Sequence, residues 1–116
     1  MELVALLSSG KGTWGQVAGL IKQGQWDKII LVGDAFSKNF TCEKKFEFVQ
    51  VDFTKGIKEL QKDLSDKLKG KIDGMEVALS IASGSGKEHM ALISALINLP
   101  SGIKFTALTK EGIVYF

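Results

Sequence analysis

Short apolar runs alternate along this chain with stretches whose apolar residues recur at helix spacing, and that alternation leaves few folds open. Glu2 to Leu7 is nearly all apolar, as strands buried on both faces of a sheet are. Trp14, Val17, Ala18 and Ile21 then repeat at helical spacing until Gly24 stops the helix. Lys28 to Val32 reads as a second buried strand, ended by Gly33 and Asp34, and Phe46 to Phe53 as a third. Between them, residues 35–45 read as a loop with room for one helical turn. Ile57, Leu60, Leu64 and Leu68 mark a helix closed by Gly70, and Met75 to Ile81 forms a fourth strand. Residues 87–98 form a helix that is apolar nearly all round, through Met90, Ala91, Leu92, Ile93, Ala95, Leu96 and Ile97. Such a helix is expected to be covered on several sides, by the sheet and its neighbours or by a partner subunit. Ile103 to Leu108 and Ile113 to Phe116 flank Thr109-Lys110-Glu111-Gly112, a hairpin signal.

Strands alternating with helices imply right-handed crossovers and a mainly parallel sheet with helices on both faces. The expected fold class is therefore α/β: a Rossmann-like three-layer sandwich with strand order 3-2-1-4-5-6. Its C-terminal edge strand is antiparallel, and the helix between strands two and three is absent or rudimentary. With 116 residues, a single domain spanning 1–116 is expected. That length buries a core without covalent staples.

Composition removes several function classes. The net charge of +2 is too small to argue for duplex DNA binding. The basic stretch from Lys55 to Lys71 has six lysines against Glu59, Asp63 and Asp66, and reads as a solvated helix face. The pairs Asp63–Lys67 and Lys62–Asp66 lie four residues apart on it. Cys42 is the only cysteine and His89 the only histidine, so no internal disulfide and no cysteine-based metal cluster is possible. No metal and no cofactor are expected. Neither a secretion signal nor an apolar run of membrane-spanning length is present, so a cytoplasmic chain without membrane contact is expected.

Two glycine-rich loops carry the chemistry: Ser8-Ser9-Gly10-Lys11-Gly12-Thr13 after the first strand, and Ser83-Gly84-Ser85-Gly86-Lys87-Glu88 after the fourth. In an open parallel sheet, ligands sit beyond the carboxyl ends of the strands, where the strand order reverses. In the order above, that crevice lies between strands one and four, so both loops are expected there. Helix N-termini offer unbonded N–H groups and a positive dipole end to anions, and glycines let the backbone approach a phosphate. Ser8, Ser9, Gly10, Lys11, Gly12, Thr13, Ser83, Gly84, Ser85, Gly86 and Lys87 are therefore candidate ligand-binding residues, with Asp34 on one side of the pocket. Helix capping also accounts for some of the hydroxyls.

Neither loop is a standard fingerprint. Gly86-Lys87 is followed by Glu88, where a Walker A loop needs a hydroxyl for Mg²⁺. Gly10-Lys11-Gly12-Thr13-Trp14-Gly15 has dinucleotide-loop spacing, but the second half of a dinucleotide fold is missing. His89 reads as a structural histidine, Glu88 as a dipole partner at the helix start, and Trp14 as core before base-stacking ligand.

A Ser-Ser-Gly at the end of strand one, and a Gly-x-Gly-Lys-Glu loop entering the helix after strand four, make the chain resemble the CRISPR-associated Rossmann-fold sensor domains, the CARF group. The usual second loop of that group reads Gly-Gly-Thr-Lys or Gly-Gly-Thr-Arg. Gly84-Ser85-Gly86-Lys87 separates the glycines with a serine and lacks the threonine. The resemblance implies a homodimer whose interface pocket binds a cyclic oligoadenylate. It also implies possible cleavage of that ring, without metal, to 2′,3′-cyclic phosphate products. Lys87 would then stabilise phosphoryl charge, and Ser8 or Ser9 would position the ribose or phosphate, making Lys87 and Ser9 the candidate catalytic residues. Two other readings stay open: binding or conversion of another phosphorylated metabolite, and a structural or partner-binding protein whose glycine loops are only tight turns.

Overall fold

Alternating side-chain direction along each strand sorts the apolar residues of this chain onto two faces of one sheet. The computed structural model describes residues 1–8 and 13–116. Its elements run β1 (Glu2–Leu7), α1 (Trp14–Gln23), β2 (Ile29–Gly33), a 3₁₀ turn (Phe36–Asn39), β3 (Glu47–Gln50), α2 (Ile57–Leu68), β4 (Glu76–Ser80), α3 (Gly86–Ile97), β5 (Gly102–Thr109) and β6 (Gly112–Tyr115). The sheet order is β3-β2-β1-β4-β5-β6. All pairs are parallel except β5–β6, which is antiparallel. This is the Rossmann-like α/β sandwich expected from the alternation.

β1 and β2 are buried along their whole length, because α1 covers one face and α2 with α3 covers the other. Leu3, Ala5 and Leu7 pack with Val17, Leu20 and Ile21 of α1. Val4 and Leu6 pack with Leu60, Leu64 and Leu68 of α2 and with Ala91, Leu92, Ala95 and Leu96 of α3. Between β2 and β3 the crossover helix is reduced to the 3₁₀ turn. Asp34 starts that turn by accepting on Oδ1 from the Ser37 amide (3.1 Å), with the Ser37 hydroxyl 3.0 Å from the same oxygen. Phe40 continues the cover on the α1 face, edge-on to Trp14 at 5.8 Å and to Phe46 at 6.0 Å.

Three details depart from the sequence reading. β3 is shorter than 46–53: ladder pairing ends at Gln50, after which Val51 donates one more bond to the Gly33 carbonyl. Asp63 pairs not with Lys67 but with Lys55, at 2.7 Å, because the loop entering α2 folds back over its first turns. Lys67 instead donates to the Gln50 carbonyl. The third is a narrowing: within one chain, the sheet and its neighbours do not cover α3 all round. Met90 and Ile97 are 63% and 65% exposed, because the sheet and α2 reach only the Ala91, Leu92, Ala95 and Leu96 side.

The Oγ of Ser80, the last residue of β4, is buried with no hydrogen-bond partner among the described residues. Paired in register with Ala5, it lies on the α1 face. A buried, unsatisfied hydroxyl costs about 1–3 kcal/mol. Ser80→Ala should therefore raise the urea midpoint of unfolding, by about 1 kcal/mol in stability. Leu64→Ala, which empties part of the α2–α3 core, should cost about 2–5 kcal/mol in the same assay.

Candidate functional site

Parallel pairing of β1 with β4 brings the carboxyl ends of these two strands side by side, because Ala5 sits opposite Ser80 in the ladder. The chain leaves β1 toward β2 on one side and leaves β4 toward β5 on the other, so a crevice opens between the two departing segments. Ser8 and Ser83 bridge its floor. The Ser8 amide donates to Ser83 Oγ at 2.8 Å, and Ser83 Oγ donates to Ser8 Oγ at 2.9 Å. Ser83 is fully buried, and its carbonyl is 2.8 Å from His89 Nε2. The single histidine thus anchors the second loop to α3 from within the same turn of chain.

Gly84 follows with φ +99°, a left-handed conformation that side chains disfavour. A Cβ there would lie 2.4 Å from Leu6 Cδ2. The glycine therefore lets the second loop pass directly over β1. Ser85 is the residue preceding α3, in extended conformation, and its hydroxyl donates to the Glu88 carboxylate rather than capping a backbone amide. The first turn of α3 thus has no side-chain cap, while Glu88 places a negative charge beside it.

Lys87 takes a position that its sequence neighbours do not reveal. Its ammonium donates to the carbonyls of Phe53 (2.7 Å) and Lys55 (2.8 Å), clamping the start of α3 to the segment after β3. That segment is itself stiffened by Asp52, whose Oδ1 accepts from the Thr54 hydroxyl (2.6 Å) and amide (2.9 Å). These Thr54 bonds, hydroxyl first, hold the Asp52 carboxyl below its ordinary value. The Lys55 ammonium likewise lowers Asp63 and is itself raised by Asp63.

The other wall of the crevice is built from the β2 end. Ser37 Oγ donates to the Leu7 carbonyl at 3.0 Å and lies 3.4 Å from the Ser8 carbonyl. Trp14 Nε1 donates to that same Ser8 carbonyl at 2.9 Å. Gly33 is obligatory here, since a Cβ would lie 2.7 Å from Ser37 Cβ and 3.0 Å from the Leu7 carbonyl oxygen. Trp14 also meets Phe36 at 5.9 Å, so its ring is part of the wall between α1 and the 3₁₀ turn.

Of the residues singled out from sequence, Ser8, Asp34, Ser83, Gly84, Ser85, Gly86 and Lys87 come to this end of the sheet, and Thr13 immediately precedes α1. Ser9, Gly10, Lys11 and Gly12 lie outside the described residues. Sequence reading passed over Ser37, Asp52 and Thr54. Ser37 and Thr54 each stand two or three residues after an aspartate, the spacing of side-chain-capped turns, and that signal could have found them.

A cavity of about 570 Å³ opens at the opposite, amino end of the central strands among Met1, Glu2, Asp27, Lys28 and residues 73–76. Its main polar groups are consumed by the fold: Glu2 accepts from the Asp73 and Gly74 amides, Lys28 bonds Lys71 and Asp73, and the Met1 amine bonds Asp27. Volume alone does not make it the chemical site. Among the described residues, no group of three or more His, Cys, Asp or Glu side chains is placed to hold a metal. Among the same residues, no helix is long and apolar enough to cross a membrane. No protein-family model and no curated protein matches the chain.

Ser83→Ala deprives the Ser8 amide of its acceptor and should cost about 1–3 kcal/mol in a denaturant titration. Acid should act through the turn carboxylates. Because Asp52 and Asp63 have lowered values in the fold, their stabilising contribution is present above the unfolded value of 3.8 and is lost as pH falls through the folded value. The melting temperature of Asp63→Asn should therefore fall less steeply below pH 3.8 than that of the parent chain.

Proposed function

We propose that this chain binds a phosphate-bearing nucleotide ligand in the crevice between the loops after β1 and β4, and that the ligand is a cyclic oligoadenylate held between two copies. The observation that carries the reading is the Ser8–Ser83 bridge, which ties the end of β1 to the second glycine-rich segment at the point where the strand order reverses. The uncapped first turn of α3 supports it by supplying backbone N–H donors and a positive dipole end. The resemblance of Ser8-Ser9-Gly10 and Gly84-Ser85-Gly86-Lys87 to the CARF loops supplies the ligand class. A ring with two-fold symmetry calls for two copies of the site. The exposed Met90 and Ile97, seven residues apart on α3, are apolar surface suited to a second copy.

Binding is better supported than turnover. Ring cleavage needs the ribose 2′-hydroxyl to attack the adjacent phosphorus while the 5′ oxygen leaves, with charge stabilised on the phosphoryl oxygens. The Lys87 ammonium is committed to two carbonyls, and His89 Nε2 to a third. A ligand that recruits Lys87 must first release it from Phe53 and Lys55, so any cleavage through Lys87 is slow.

The test is the thermal shift of the purified chain with excess cyclic tetra-adenylate and cyclic hexa-adenylate, since a ligand bound only by the native state raises apparent stability. A rise of several degrees with one ring is expected, together with its loss in Lys87→Ala measured against that variant's own unliganded melt. No rise with either ring would remove the cyclic oligoadenylate reading. Glu88→Gln, which takes the competing charge from the α3 start, should tighten binding severalfold. Chromatography of the incubated ring for 2′,3′-cyclic phosphate ends reads cleavage directly.

A further inference from the structure

A second cavity, about 370 Å³, opens at the carboxyl ends of β2 and β3 and is lined by Asp34, Ala35, Phe36, Gln50, Val51 and Asp52. It falls in the size range of small-ligand sites, and both of its walls are tied to the crevice. On one side, Asp34 holds Ser37, which bonds the Leu7 carbonyl beside Ser8. On the other, Lys87 in the first turn of α3 grips the Phe53 carbonyl, one residue beyond Asp52. A ligand with its phosphate at the start of α3 would therefore have this cavity as the adjoining space.

The lining has the opposite chemistry from a phosphate site. Asp34 and Asp52 are acceptors when ionised, and each spends Oδ1 on its own turn, so Oδ2 is the oxygen through which either would engage a ligand. Two carboxylates repel phosphate and favour N–H and O–H donors, such as the hydroxyls of a ribose or the amino group of a base. Gln50 is exposed and carries the donor–acceptor pair that matches an adenine edge. Phe36 is 42% exposed and lies 5.9 Å from Trp14, so aromatic surface contributes to the cavity lining. A divalent cation is the poorer occupant, because no third ligand of suitable type gathers here among the described residues.

We propose that this cavity is the nucleoside subsite of the crevice, taking a purine base with its ribose while the phosphate lies at the first turn of α3. The inference rests on the phosphate-binding reading above and adds where the uncharged half of the nucleotide goes. The site is then polarised: donors at α3 face the anion, and acceptors at β2 and β3 face the sugar and base.

The experiment is amide NMR of the ¹⁵N-labelled full chain titrated separately with inorganic phosphate, adenosine and adenosine 5′-monophosphate. Phosphate is expected to shift residues 84–88, adenosine to shift residues 34–36 and 50–52, and the nucleotide to shift both sets with at least about tenfold higher affinity than phosphate. Phe36→Ala and Asp52→Asn should each reduce nucleotide affinity about tenfold and leave the phosphate response intact, with unchanged spectra elsewhere as the check on folding. Adenosine leaving the cavity amides unmoved, or the nucleotide binding no tighter than phosphate, would overturn the subsite while the phosphate site stands. Absence of any phosphate response at 84–88 would overturn the parent reading, and this one with it.

Discussion

The parallel pairing of β1 with β4 is the contact on which the rest of this structure depends. It joins the two halves of the sheet, and the Ser8–Ser83 hydroxyl bridge closes it at its carboxyl end. Every strand of the right half is reached through β4, and every strand of the left half lies beyond β1. Because chain connections leave this pair in opposite directions, the crevice follows from connectivity rather than from any one side chain. The serines occupy the place where apolar packing ends and loop backbone begins. There a half-buried amide such as that of Ser8 needs an acceptor, and Ser83 Oγ supplies it.

From that bridge a chain of polar contacts extends to both flanks. Ser37 carries it from the Leu7 carbonyl to Asp34, and Lys87 carries it from α3 to the Phe53 and Lys55 carbonyls. These bonds replace the regular structure that a full crossover helix between β2 and β3 would have provided. A 3₁₀ turn of four residues cannot cover a sheet face alone. Phe40 and Phe46 supply apolar cover on the α1 face, and the aspartate-headed turns supply backbone satisfaction. The result is a crevice whose floor is held by hydroxyls, with a lysine clamp on one wall and an aspartate-capped turn on the other.

Lys87 illustrates how local sequence and tertiary contact diverge. Beside two glycines at a helix start, a lysine reads as a phosphate ligand, because its charge opposes the helix dipole unless an anion is present. In the folded chain its long stem reaches the carbonyls of Phe53 and Lys55, and those partial charges play the anion's part. Residues more than thirty positions earlier in the sequence provide them, which no local pattern can register. The same holds for Asp63, where four-residue spacing pointed to Lys67 and the fold supplied Lys55 from the preceding loop.

Strand and helix identity, the sheet order and the location of the second glycine-rich segment were legible in the sequence, since side-chain periodicity and glycine placement are local signals that burial then enforces. The brief helical turn at 36–39 was legible only as a possibility, because Asp34 and Ser37 direct it through bonds that depend on the β1 end being in place. Which face of α3 is buried was not legible at all. A helix apolar all round has no preferred side, and only packing against β1, β4 and α2 selects Ala91, Leu92, Ala95 and Leu96 over Met90 and Ile97. The sequence by itself determined an α/β sheet and put the second glycine-rich segment at the carboxyl end of its strands. The tertiary structure decided which polar groups meet there, because hydrogen bonds between Ser8 and Ser83, or between Lys87 and Phe53, join residues that only the closed sheet brings within reach.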